Sequence, residues 1–378
     1  MNYQQEDIES KNIDHLGIIA GIIDEIGIVK KINELFSVDS REKVNTGEVV
    51  KAIILNGLGF VSRPLYLFPE FFKDKAVEHL IGAGIQAEDL NDDKIGRVMD
   101  KIYKYGLTKL FLIIALEVVK KYGIDTKYSH LDSSSLHLHG KYDNCLNNLE
   151  KELGINREHP IIITQGYSRD HRPDLKQCIL DLIVSSDGDI PLFFRGASGN
   201  ESDKAVFAHI LVEYSKQIDF KSIMVADSAL YSESNLKLMS NMKWISRVPL
   251  SIKKAKNLVK ALERGFRFIK DPLFFADSLF VKNPERVETM MMLMALSLLV
   301  YNLGQRQLRM SLKAQKSTVK NQLNKPTESP TLRWIFQCFQ GIHLLMSQGF
   351  QRVLNLTESH FHILQFLPNA CQKYYLLT

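Results

Sequence analysis

The feature that most constrains this 378-residue chain is a change of apolar rhythm near residue 126. Before it, IIAGIIDEIGIVKKINELF, GEVVKAIILNGLGFV and KIGRVMDKIYKYGLTKLFLIIALEVVKKYG space their apolar residues three and four apart, as amphipathic helices do. Breaks at Asn45–Thr46, Arg63–Pro64 and Asn91–Asp93 supply caps and turns. From 126 the stretch YSHLDSSSLHLHG alternates with period two, which predicts a strand. QCILDLIVSS and DIPLFFRGAS are apolar runs joined by Ser185–Ser186–Asp187–Gly188–Asp189, the chemistry of a hairpin turn. A helix at DKAVFAHILVEYSKQI, a strand at SIMVAD, a helix at SESNLKLMSN and a strand at KWISRV follow. Alternating strands and helices predict an α/β fold with a mixed central sheet. Three parts are expected: an all-helical domain over 1–125, an α/β core over 126–303 and a helical tail over 304–378. Within the tail, Lys316–Pro330 reads as a polar linker and TLRWIFQCFQGIHLLMSQGFQRVLNL as helical.

Charge matters by location. Lys and Arg number 48 against 43 acids, a net +5 that permits a nucleic-acid partner without declaring one. Residues 1–127 carry 17 basic and 20 acidic side chains, whereas Lys243–Lys270 holds nine basic residues and one acid. Cys145, Cys178, Cys338 and Cys371 form no CxxC pair and read as reduced, buried thiols. The first residues, MNYQQEDIESKNID, are acidic where a secretory signal needs a basic stretch, so a cytoplasmic location is expected. Met290–Leu303, fourteen residues with a Ser and an Asn inside, falls short of the ~20 needed to span a bilayer and predicts a buried core helix, with no membrane partner.

Three carboxylates stand in positions suited to chemistry. Asp132 lies within the alternating strand beside Ser133, Ser134 and Ser135. Asp227 ends SIMVAD, where a buried strand delivers an acid to the sheet's carboxyl edge, the usual location of sites in open α/β sheets. Each also has a bland reading as a turn or cap aspartate. Glu263 belongs to KKAKNLVKALERGFRFIK, whose Val259, Leu262, Phe266 and Ile269 share one face while Lys256, Lys260, Glu263, Arg267 and Lys270 share the other. A solvated basic face with an ion-paired Glu is the plain account of that stripe. Together, the three acids offer hard oxygen ligands for two Mg²⁺ (or Mn²⁺) ions, which keep waters and leave room for a phosphodiester. Two such metals serve in-line phosphoryl transfer, and the basic stripe suits a polyanion.

The stretches HLDSSSLHLHG, ITQGYSRDHRPDLKQ, VADSALYS and ERGFRFIKDPLFFADSLFVKNPER resemble the DDE transposases of bacterial insertion sequences. The resemblance extends over nearly the whole chain. It implies a ribonuclease H-like core, a metal-binding triad of Asp132, Asp227 and Glu263, and metal-dependent cleavage and strand transfer at insertion-sequence ends. It also implies double-stranded DNA as partner, both terminal inverted repeats and target, and a homodimer joining two ends. Lys270, Arg267, Arg264, Lys260, Arg169, Arg172 and Tyr167 are the expected DNA contacts, Arg264 lying off the stripe. Of the Y-x2-R-x3-E-x6-K signature of the related group, Glu263 and Lys270 supply the second half. The first half is absent: Lys256 and Val259 stand at the Tyr and Arg positions. Relatives also carry a long, largely β-rich insertion between the second Asp and the Glu, whereas only 35 residues separate Asp227 from Glu263. Two accounts fit this gap, a naturally compact enzyme and an internally shortened copy, and the missing signature residues just before the junction favour the shortened copy. The alternative function is a catalytically impaired remnant that binds DNA or full-length relatives without chemistry.

Other candidates carry less. His130 shares a strand face with Asp132 while His137 and His139 fall on the opposite one, which disfavours a zinc site. Tyr167, Ser168, Arg169, His171 and Arg172 suit a phosphate backbone or a hydrogen-bonded turn. Glu288 reads as a charge near a helix start rather than the third acid, Met290–Met292 and Met294 as core, and Trp244 and Trp334 as packing residues.

Overall fold

The computed structural model describes residues 9–37, 42–60, 62–139, 142, 160–167, 172, 174–217, 222–246, 283–347 and 350–377. In chain order they form β1 (Glu9–Asn12), α1 (Leu16–Ile26), α2 (Ile28–Leu35), α3 (Thr46–Leu58), α4 (Phe68–Phe72), α5 (Val77–Leu80), α6 (Asp92–Tyr105) and α7 (Leu107–Tyr122). Next come β2 (Tyr128–Leu138), β3 (Lys176–Ser185), β4 (Pro191–Ser198), α8 (Asp203–Gln217), β5 (Ile223–Ala226), α9 (Glu233–Leu238) and β6 (Trp244–Ser246). The remainder comprises α10 (Pro284–Ala314), β7 (Val319–Lys320), β8 (Pro326–Thr327), α11 (Leu332–Cys338), β9 (His343–Ser347), β10 (Phe350–Leu354), α12 (Glu358–Leu364) and α13 (Asn369–Leu376).

These elements fall in two compact units. One takes the described residues up to Val98 and those from Ser297 onward; the other takes those from Met99 to Leu296. The grouping differs from the three parts read from sequence, because α7 belongs with the sheet and the segment after 304 belongs with the N-terminal helices.

The first unit is closed by pairing between its chain ends. β1 pairs antiparallel with β9, which pairs antiparallel with β10, so residues more than 300 positions apart share one sheet. This corrects the helical reading of TLRWIFQCFQGIHLLMSQGFQRVLNL: among its described residues only Leu332–Cys338 is helical, and Gly341, at φ +79, turns the chain into the hairpin. Lys316–Pro330, read as a linker, contains the β7–β8 hairpin.

α13 packs on α1 closely enough that a Cβ at Gly21 would stand 2.3 Å from Cys371 Cα. Gly21→Ala must push the two helices apart, and we expect it to cost about 2 kcal/mol in a denaturant titration. In the same unit Lys51, only 3% exposed, meets Asp24 Oδ1 at 2.7 Å, and Tyr374 donates to Asp24 Oδ2 at 2.5 Å. His15 is buried between the rings of Phe60 and Phe336, each centred 4.7 Å away. Burial lowers its pKa to about 4, so it stays neutral near pH 7.

The second unit is the expected mixed α/β layer. Its five-stranded sheet runs β4-β3-β2-β5-β6, with β2–β3 and β3–β4 antiparallel and β2–β5 and β5–β6 parallel. Gly188 (φ +83) and Asp189 (φ +55) occupy the left-handed positions of the β3–β4 turn that the sequence marked. Phe111 of α7 meets Phe194 on one sheet face, and Tyr214 of α8 meets Phe193 on the other.

α10 runs 31 residues, well beyond the fourteen-residue apolar stretch, and is long and apolar enough to cross a membrane. Of its most apolar window, 89% is buried within the protein. Met290–Met292 and Met294 lie in that buried part, as expected of core.

Candidate active site

β2 enters the sheet between the antiparallel β3 and the parallel β5, and two of the three acids lie just beyond the paired stretch of β2 and β5. The β2–β5 register pairs His130 with Val225 and Leu131 with Ala226. Asp132 and Asp227 are the residues that directly follow this last pair, Asp132 still within β2 and Asp227 just past β5. Asp227 lies one residue beyond the carboxyl end of β5, where the chain leaves extended geometry for a short 3-10 turn, Ser228–Leu230.

Local bonds hold both carboxylates. Asp227 Oδ1 accepts from Ala229 N at 2.8 Å, and its backbone carbonyl accepts from Ser246 Oγ at 2.6 Å, tying it to the end of β6. Asp132 Oδ1 accepts from Ser133 N at 2.9 Å. Both residues are half-buried, so each keeps access to solvent while its backbone is fixed.

The opposite face carries a charged cluster that the sequence reading passed over. Asp181, 1% exposed in the middle of β3, accepts from Ser133 Oγ and from Arg195 Nη1 at 2.7 Å, and Arg195 Nη2 reaches Glu201 Oε2 at 2.7 Å. Ser133 is the next residue after Asp132, so this buried network pins β2 at the position of the candidate site. Its signal was an acid inside the otherwise apolar run QCILDLIVSS: a buried carboxylate there requires charged partners.

The remaining predicted residues fall in different places. Glu263, Lys260, Arg264, Arg267, Lys270 and Arg169 lie outside the described residues, as does the Tyr-and-Arg gap at Lys256 and Val259. Tyr167 is 85% exposed, while its carbonyl accepts from Gln177 Nε2 at 3.3 Å. Arg172 is held by Asp174 through paired bonds of 2.9 and 2.8 Å, which lower the Asp174 carboxyl to about 2 and occupy the guanidinium fork. Thr164 and Gln177 form an antiparallel bridge that folds the start of ITQGYSRDHRPDLKQ against the start of β3.

Glu288, on α10, packs over the outer strand β4: a Cβ at Gly196 would meet its Cγ at 2.7 Å. Gly196 pairs with Leu180 and Leu180 with Ser134, so Glu288 stands two strands from β2, on the side away from β5. Beside it, Met291 Sδ lies 3.4 Å from Cys178 Sγ, a buried thiol whose pKa burial raises to about 12. His130 lies on the Asp132 face with its pKa lowered by burial. Among the described residues no three His, Cys, Asp or Glu side chains converge as a metal would require. Asp132 and Asp227 supply two oxygen donors of the hard type that Mg²⁺ prefers.

Residues 8–116 match the family described as Domain of unknown function (DUF4277). No curated protein matches the chain. Among solved structures, similarity is found to the piggyBac transposase synaptic complex with hairpin DNA, with TM-score 0.40 and 9% identity over 94% of this chain and 84% of that one. The Mos1 transposase paired-end complex with left transposon end gives TM-score 0.21 and 10% identity over 58% and 71% of the two chains. A pre-cleavage Mos1 transpososome gives TM-score 0.20 and 10% identity over 57% and 72%.

Proposed function

We propose that this chain is a DDE-type transposase of a bacterial insertion sequence, with a ribonuclease H-like core, cutting and joining double-stranded DNA at the element's ends. The observation that supports the reading is the parallel register that pairs Leu131 of β2 with Ala226 of β5, the residues immediately before Asp132 and Asp227. An acid within β2 and an acid just past the carboxyl end of the neighbouring parallel β5 would supply two of the three ligands of a divalent-cation site, and the resemblance supplies Glu263 as the third. When bound, Mg²⁺ or Mn²⁺ ions stabilise the charge of the attacking and leaving oxygens in in-line phosphoryl transfer. The chain's own part is placement. Asp132 and Asp227 hold the cations, with their backbones fixed by the Asp181 network and by Ser246. Lys260, Arg264, Arg267, Lys270 and Arg169 grip phosphates, and Tyr167 offers an exposed ring to the DNA. Arg172 contributes only if Asp174 releases it. Two copies acting as a homodimer join two ends.

A second reading is favoured by Lys256 and Val259 at the signature's Tyr and Arg positions: a remnant that binds DNA without chemistry. One assay separates them. Purified chain is incubated with labelled terminal inverted repeats and Mg²⁺ or Mn²⁺. The enzyme reading expects strand cleavage by wild type that Asp227→Ala abolishes while binding persists. Binding without cleavage establishes the remnant reading. Equal cleavage by Asp227→Ala, or no binding at all, removes the proposal.

A further inference from the structure

The segment joining α10 to α11 reads as a linker in sequence, yet it forms a hydrogen-bonded, basic hairpin with an apolar tip. β7 and β8 pair Val319 with Thr327 and Lys320 with Pro326. The base is anchored: Val319 is buried, Trp334 Nε1 donates to the Lys320 carbonyl at 2.7 Å, and Arg309 Nε donates to the Pro330 carbonyl at 2.9 Å. The tip is stapled by one side chain, Asn321, whose Oδ1 accepts from Leu323 N at 2.9 Å and Lys325 N at 3.0 Å. Asn324 takes the left-handed turn position at φ +59.

This ordered loop holds Leu323 out in solvent, 74% exposed. An apolar side chain at the end of a fixed turn gains nothing there for the isolated fold. The surrounding charge has one sign: Lys313, Lys316, Lys320 and Lys325 are all exposed, against Glu328 as the single acid between 313 and 330. Lys313 has a local use at the carboxyl end of α10. Lys320 and Lys325, flanking the tip, have no acidic partner among the described residues.

We infer that this hairpin is a DNA-contacting ribbon, with Lys320 and Lys325 on the phosphates bordering a minor groove and Leu323 as a wedge between base steps. A two-stranded ribbon is narrow enough to follow a groove. Inserted Leu side chains unstack a step and bend the duplex, an energy cost that phosphate contacts on either side offset. An acidic protein surface would satisfy the lysines but gives no use for a lone leucine at the tip. The inference rests on the DNA-handling reading above and assigns it a surface outside the acidic site.

The test uses the full chain and a duplex that carries the terminal repeats, labelled at both ends for energy transfer. Wild type should bind and bend it. Lys320→Gln/Lys325→Gln should weaken binding and make the slope of log affinity against log salt shallower by about 2. Leu323→Ala should lose most of the bend with the salt slope unchanged, and Leu323→Phe should restore it. Melting curves matching wild type would confirm that these exposed changes leave the fold intact. If wild type binds and every variant binds and bends equally, the hairpin is not the contact, while the DNA reading stands. Loss of binding to phosphatidylserine vesicles instead of DNA would reassign the surface to a membrane. No DNA binding by wild type overturns both readings.

Discussion

Asp132→Asn is expected to lower strand cleavage about a thousandfold or more while leaving the metal-free protein as stable as wild type, or slightly more stable. The two effects have one cause. Asp132 and Asp227 directly follow the paired residues Leu131 and Ala226 of strands ~5 Å apart, and on the proposed convergence their like charges should repel by up to about 1 kcal/mol. Replacing one carboxylate by the isosteric amide removes that repulsion and keeps an oxygen to accept from Ser133 N. The same change removes a charged ligand for the cations. Their loss withdraws several kcal/mol of transition-state stabilisation, and each 1.36 kcal/mol is tenfold in rate. Thermal melts in chelator and in millimolar Mg²⁺ provide the second reading: the cation should raise the wild-type midpoint and leave that of Asp132→Asn unmoved. A variant that melts well below wild type in chelator and still cleaves DNA would mark Asp132 as a structural residue.

That pairing shows where sequence reasoning reached and where it stopped. β2, the β3–β4 hairpin, β5 and β6 were legible because period-two alternation, the SSDGD turn and short apolar runs are local signals. The nomination of Asp132 and Asp227 was equally local, resting on acids placed where strands end or alternate. The pairing of the residues just before them, Leu131 with Ala226, was not legible, because it depends on the offset between two parallel strands about 95 positions apart, which packing fixes and periodicity does not encode. Asp181 was overlooked for a related reason: its partners Arg195 and Glu201 come from the next strand and the turn beyond it. β9 and β10 were misread because a run such as GIHLLMSQGF satisfies helix and strand spacing alike, and its strand identity comes from β1 at the other end of the chain. The β7–β8 strands are two residues each, too short for any period to register. Only the turn chemistry of Asn321 and Asn324 marked them.

Lys51→Met should produce the largest loss of stability of any single change in the first unit, about 3 kcal/mol by denaturant titration. Lys51 is buried on α3, and its ammonium reaches both Asp24 Oδ1 at 2.7 Å and the Tyr374 hydroxyl at 2.9 Å, joining α3 to α1 and α13. Removing one member of a buried pair strands the other charge, which costs more than the pair itself contributed. Lys373, 3.0 Å from Asp24 Oδ2, remains to share that charge, which places the loss at the low end of the usual range. The triple change Asp24→Leu/Lys51→Met/Tyr374→Phe, which leaves no polar atom behind, should recover most of the stability. The pH dependence identifies the charge responsible. Burial alone would raise the Asp24 carboxyl, but the Lys51 ammonium takes it below its ordinary 3.8. A carboxyl lowered on folding stabilises fully above its unfolded value and loses that contribution as pH falls through the folded one. The Lys51 variant should therefore lose less than wild type below about pH 4. His15 acts in a separate window: lowered by burial from 6.5 to about 4, it charges in the unfolded chain first, so stability declines as pH falls between those values. His79, lowered first by burial and also by Lys51 and Lys373, titrates in the same window, so Lys51→Met should shift this segment modestly, whereas His15→Gln should flatten it in part. If Lys51→Met leaves the segment below pH 4 unchanged, the stabilising charge is not the one on Asp24.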